Sequence, residues 1–209
     1  MLSGSNQNAL FMSKRLLLFC LLATITSLLM AQDSMLLEIN THRLQISRTS
    51  MYVLGSWAVG NMAISGILRG QTTGPQRYFH EMNVFWNVDN LGFAGAGLYG
   101  ISTSEPAALG LWETFHEQQK LEKILLFNVA LNISYMVGGA WLIERSKTAV
   151  NRPERLKGYG QSLILQGAFL FLFDTTQVIV QQSTNSPKLQ QILSHAYPIP
   201  GGMGLSFIF

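Results

Sequence analysis

Apolar and polar residues follow one another along this chain in long blocks. Residues 51–68 and 124–143 carry no charged side chain, residues 158–182 carry only Asp174, and residues 82–104 carry only Asp89. Each block is close to the roughly 20 residues that an α-helix needs to cross a hydrocarbon core of about 30 Å. The pattern predicts four membrane-spanning helices, at residues 51–68, 79–101, 122–143 and 157–181. A soluble four-helix bundle would instead place charge on the outer face of every helix.

The second of these segments breaks the apolar rule in a periodic way. His80, Asn83, Asn87 and Asn90 recur at spacings of three and four, which stacks them on one face of a helix. Hydrocarbon offers such groups no hydrogen-bond partner, so that face must be buried in protein or line a cavity. Asp89 falls on another face with Gly92, Ala96 and Gly100, a small-residue spacing that lets a second helix approach closely. Val84, Val88, Leu91 and Leu98 make the lipid-facing strip.

The other three helices supply matching polar faces. Trp57, Asn61 and Ser65 align on the first, Asn128, Asn132, Tyr135 and Gly139 on the third, and Tyr159, Ser162, Gln166, Asp174 and Gln177 on the fourth. The expected fold is all-α: an integral membrane four-helix bundle with an amide-rich interior, following an N-terminal signal peptide. The candidate buried polar network is Asn61, His80, Asn83, Asn87, Asp89, Asn90, Asn128, Asn132, Tyr135, Gln166, Asp174 and Gln177. Such a network either fixes helix packing or forms a cavity that binds or conducts a small polar solute or a proton. Burial would favour a protonated Asp89.

The flanks complete the expected organisation. Lys14 and Arg15 precede an apolar run over residues 16–30, and Ala31 offers a cleavage point, the pattern of an export signal over residues 1–31. Met12 is an alternative start. Residues 32–50 then form a polar external lead-in, residues 51–182 the transmembrane domain, and residues 183–209 an external tail whose end, from Pro198 to Phe209, reads as an interface-associated peptide. Residues 106–123 read as an amphipathic helix lying at the outer interface, with Trp112 at headgroup depth. The Gly70, Gly74 and Pro75 region reads as a turn.

Charge adds orientation. Arg69 and Arg77 flank the first short loop, and Arg145, Lys147, Arg152, Arg155 and Lys157 crowd the second, whereas residues 103–123 hold four glutamates and two lysines. Basic loops stay in the cytoplasm, and a cleaved signal leads to the same arrangement, with both mature termini outside a bacterial inner membrane. Only 12% of residues are charged and the formal net charge is +3, so the positive balance reflects topology and no basic patch suggests nucleic acid.

Candidate chemistry is sparse. Cys20, the single cysteine, lies within the export signal, so no disulfide or thiol nucleophile is expected in the mature chain. His42, His116 and His195 are dispersed as surface residues would be, and no zinc, Ser/His/Asp or paired-carboxylate spacing appears. No metal site, catalytic set or cofactor can be named. The expected partners are the lipid bilayer and either a second copy of the chain or an envelope protein.

The run Phe79, His80, Glu81, Met82 and Asn83, with Trp86, Asn87 and Asn90, then Gly158, Tyr159 and Gly160, Gln166 and Gly167, and Asp174 resembles an uncharacterised family of small bacterial polytopic membrane proteins. The resemblance covers residues 51–181. It implies that the polar positions belong to a shared design, and it brings no activity, cofactor or catalytic residue.

Overall fold

A computed structural model describes residues 3–194, 196–199 and 202–205, with side chains from Lys14 to Ser194 except at residues 21, 23–29, 31 and 32. Five helices account for almost all of it. They are α1 (Ser3–Gln71), α2 (Gly74–Ser102), α3 (Leu111–Ser146), α4 (Pro153–Thr184) and α5 (Ser186–Ser194), with a short 3-10 turn at Pro106–Ala108. A small antiparallel hairpin, β1 (Ala196–Ile199) and β2 (Gly202–Leu205), follows with Ala196 opposite Leu205. The fold class is all-α. The last four residues of the tail peptide lie outside the described residues, as does His195.

The helices pack as two hairpins. α1 lies along α2, α3 lies along α4, and the two hairpins meet chiefly where α2 packs on α4. α2 and α4 therefore share the central position. The first turn is only Thr72 and Thr73, because Gly74 opens α2 with φ of 59°, a left-handed conformation that costs a glycine nothing. Pro75 and Pro153 then occupy the first turn of α2 and α4, where a missing N–H is harmless.

All four long helices are longer than the sequence pattern implied. α1 continues without interruption from residue 3 through the expected signal and lead-in into the first span. The lead-in is helical because residues 32–50 contain no Gly or Pro and present Leu36, Ile39, Asn40, Arg43 and Ser50 on one buried face. Residues 111–123, expected to lie flat as a separate amphipathic helix, are the first turns of α3. Leu109 and Gly110, both extended, separate the 3-10 turn from α3. α4 likewise runs on to Thr184. One end of the molecule thus carries the short basic connections, and the other carries a polar layer built from these extensions.

Burial is inverted relative to a water-soluble domain. Among the described residues eight apolar side chains are buried against seventeen polar or charged ones, while Phe85, Phe93, Phe127, Val137, Trp141 and Leu172 are exposed. The helices at Asp33–Gln71, Leu111–Ser146 and Pro153–Ser194 are long and apolar enough to cross a membrane. α2 falls short of that apolarity because its polar stripe, with Glu81 and Asp89, sits within the same 29 residues.

Close backbone approach holds the central helices together. A Cβ on Gly139 would lie 2.6 Å from the Gly160 carbonyl oxygen, and one on Gly158 would lie 2.7 Å from the backbone nitrogen of Phe79. Backbone cannot yield as a flexible side chain can, so these sites exclude any larger residue. By contrast a Cβ on Gly92 would meet nothing within 4 Å. Gly158→Ala is expected to lower stability by about 1–3 kcal/mol through overpacking, whereas Gly92→Ala should be neutral. Thermal unfolding of the two variants in detergent checks the contrast.

Candidate functional site

α2 buries five residues, His80, Asn83, Asn87, Asn90 and Ala94, all on the face that its three-and-four spacing defines. That face meets α1 and α4. Asn83 stands at the centre. Its amide nitrogen donates to Asn61 Oδ1 at 2.9 Å and to Ser65 Oγ at 2.8 Å. Its side-chain oxygen accepts from Gln166 Nε2 and, at 3.5 Å, from Asn87 Nδ2. A carboxamide has two donors and two acceptor sites, and all four of Asn83 are used within the chain.

The network spreads from this node. Trp57 Nε1 donates to Gln166 Oε1 at 3.0 Å, and Asn61 Nδ2 donates to the Trp57 carbonyl at 2.9 Å. The Trp57 indole stacks on Phe169 with centroids 3.8 Å apart. His80 Nδ1 lies 3.2 Å from Ser65 Oγ. Asn90 Nδ2 donates to Asn87 Oδ1 at 3.2 Å, while Asn87 Nδ2 also donates to the Asn83 carbonyl at 2.7 Å. Three helices are stitched together by amide, hydroxyl, indole and imidazole groups, none of them a fixed charge.

A second cluster joins α3 to α4. Asn132 Nδ2 donates to Asp174 Oδ2 at 2.7 Å, and both residues are buried. Tyr135 packs edge-on against Trp86 at 4.8 Å, tying α3 to α2 by ring contact. Asn128 and Gln177 are half-buried and hydrogen-bond to neither cluster among the described residues. Ser162 is fully buried with no partner for its hydroxyl.

Asp89 departs from the expectation of burial. It is exposed, together with Gly92, Ala96 and Gly100, because it lies on the face of α2 turned away from α1 and α4. Among the described residues nothing covers the small-residue face.

The two ends of the bundle are closed differently. At the basic end Arg69 pairs with Glu81 at 2.9 Å, Tyr159 donates to the other oxygen of Glu81 at 2.7 Å, and the Arg155 guanidinium lies 4.8 Å over the Tyr159 ring. At the polar end Asn40 Nδ2 donates to Thr114 Oγ1 at 2.7 Å, and Asn185 Nδ2 donates to Gln181 Oε1 at 3.0 Å. Gln118 Nε2 donates to Glu122 Oε1 at 2.7 Å. His42, expected on the surface, is half-buried with Nδ1 3.3 Å from Asn185 Oδ1.

Residues of the polar end were absent from the expected network. The signal was present in α3, where Thr114, Gln118, Glu122 and Leu125 share one face at spacings of four, four and three. No group of three or more His, Cys, Asp or Glu side chains among the described residues is arranged to hold a metal ion.

The fold and the polar interior define an all-α protein with apolar outer surfaces and three helices fit to cross a membrane, which is consistent with a membrane protein. The chain belongs to the family of unknown function DUF6992, whose model matches residues 53–175, more than half of its length. The match begins within α1 and ends within α4, so it takes in the Asn83 network and the Asn132–Asp174 pair. No curated protein and no solved structure matches the chain.

Asn83→Ala removes three interhelical bonds and leaves buried partners unpaired. It is expected to destabilise the bundle by about 2–3 kcal/mol, at roughly 0.6 kcal/mol per interhelical bond plus a cavity contribution. Asp89→Asn should change stability by less than about 0.5 kcal/mol, as exposed substitutions do. Reversible unfolding in mixed micelles checks both, and an Asn83/Gln166 double-mutant cycle should show coupling that an Asn83/Asp89 cycle lacks.

Proposed function

We propose that this protein is a structural or accessory subunit of a bacterial inner-membrane assembly. In this reading it is a four-helix transmembrane bundle whose interior amides fix helix packing rather than bind a ligand. The observation that carries the proposal is the filled hydrogen-bonding capacity of Asn83. A site built to take a solute keeps donors or acceptors free, and here the central group spends all four on Asn61, Ser65, Gln166 and Asn87.

Membership of the four-helix bundle by α2, despite its modest apolarity, is supported by its position between α1 and α4, where the stripe is sheltered from lipid. The expected orientation is supported by Arg69, Arg145, Lys147, Arg152 and Arg155 gathering at one end, which the positive-inside bias assigns to the cytoplasm. Residues 1–31 are read as the export signal that sets the same orientation. The uncovered face of Asp89, Gly92, Ala96 and Gly100 is the surface by which such a subunit would pack on a neighbouring helix.

The test separates packing from solute handling. Asn83→Ala and Asn87→Ala should lower thermal stability and steady-state abundance in the native membrane together. Full abundance and stability combined with a lost phenotype or lost solute binding would overturn the proposal. Gly92→Leu, at an exposed position where an added Cβ meets nothing within 4 Å among the described residues, should leave the bundle folded yet shed whatever protein co-purifies with the wild type in native mass spectra.

A further inference from the structure

The polar end holds a cavity of about 320 Å³ between the start of α3 and the junction of α4 with α5. Phe115, Gln118 and Glu122 line it from α3, and Gln182, Ser186 and Leu189 line it from the other side. Its size lies at the lower end of the range for small-molecule sites.

Glu122 is the charged group in this wall and is 8% exposed. Its Oε1 accepts from Gln118 Nε2 at 2.7 Å and from Ser186 Oγ at 2.8 Å, and its Oε2 accepts only from Gln182 Nε2, at 3.4 Å. Every donor is neutral. Among the described residues no lysine, arginine or histidine forms an ion pair with Glu122. Burying a carboxylate without a counter-charge is costly, and buried charges are ordinarily paired.

Gln118 adds a second unmet demand. It is 1% exposed, and its Oε1 has no hydrogen-bond partner. Turning the amide over would set that oxygen against the Glu122 carboxylate, so the orientation is dictated by Glu122. The cavity wall therefore offers one carboxylate lacking a cation, with a weakly engaged Oε2. Phe115 and Leu189 supply an apolar surface next to them.

A ligand that satisfies all of this carries a positive charge, several N–H donors and a short hydrocarbon part. A primary ammonium has three donors on one compact charge. A divalent metal ion fits less well, since hard cations of this kind take several oxygen ligands, usually with more than one carboxylate among them. We propose that the cavity binds a small free primary alkylammonium, its nitrogen held by the Glu122 carboxylate and its carbon chain against Phe115 and Leu189. This site is separate from the Asn83 network and does not depend on the role given to it.

The proposal is tested on the full chain in detergent or nanodiscs by calorimetric titration with 1-aminobutane and 1,4-diaminobutane. Saturable one-to-one binding of either amine is expected, with Glu122→Gln weakening it by at least about tenfold through loss of the charge-assisted bonds. Gln182→Glu, at an exposed rim position, adds a second carboxylate and should tighten binding several-fold. This variant keeps the test decisive if Glu122→Gln fails to fold. Tetramethylammonium, which has no N–H donor, should not compete. The proposal is overturned if folded wild-type protein gives no saturable binding, if both variants bind as the wild type does, or if tetramethylammonium or calcium binds as well as the amines. Binding of a blocked lysine derivative, but of neither free amine, would also overturn it by assigning the cavity to a protein side chain.

Discussion

The hydrogen-bonding demand of one asparagine organises this molecule. A carboxamide placed among apolar residues must find four partners, and Asn83 finds them on α1, on α4 and on its own helix. Those bonds fix both the rotation of α2 about its axis and the height of α1 and α4 beside it. Gln166 cannot slide by a turn without abandoning Trp57 and Asn83 together. Apolar side chains could be repacked in many ways, but this set of donors and acceptors closes in one register.

Glycines let the demand be met. Interhelical hydrogen bonds between short side chains require close backbones, and Gly139, Gly158, Gly160 and Gly167 each face backbone or side-chain atoms nearer than a Cβ could stand. In lipid no hydrophobic force drives helices together, so close packing and polar contacts supply the association. The two features are complementary, since small residues bring α4 against α2 and α3 while amides and the Asn132–Asp174 pair specify where. The exterior, with Phe85, Phe127, Trp141 and Leu172 turned outward, is left free of polar duty.

Much of this was legible in the residues themselves, for a definite reason. The face of α2 bearing His80, Asn83, Asn87 and Asn90 is set by helical geometry alone, and so are the faces of Asn61, Asn132, Gln166 and Asp174. Helix ends were harder to read, because residues 32–50 and 111–123 contain no glycine or proline to stop a helix. The pairing of Asn40 with Thr114, or of Glu122 with Ser186, joins segments 74 and 64 residues apart, and no local pattern encodes that. Asp89 illustrates the opposite difficulty: periodicity placed it on a face distinct from the stripe, but only the packing of α1 and α4 shows that this face is uncovered.

The two-residue turn between α1 and α2 bears on how such a chain enters a bilayer. Thr72, Thr73 and the left-handed Gly74 reverse the direction so tightly that α2 lies against α1 as soon as both are helical. A segment as polar as α2 would be a poor candidate for insertion alone. Under the proposed transmembrane reading, so short a link would present α2 together with α1, in which Asn61 and Ser65 answer Asn83. On that reading the hairpin, rather than the single helix, would be the unit whose partition free energy counts, and α2 could carry more polarity than an isolated span tolerates.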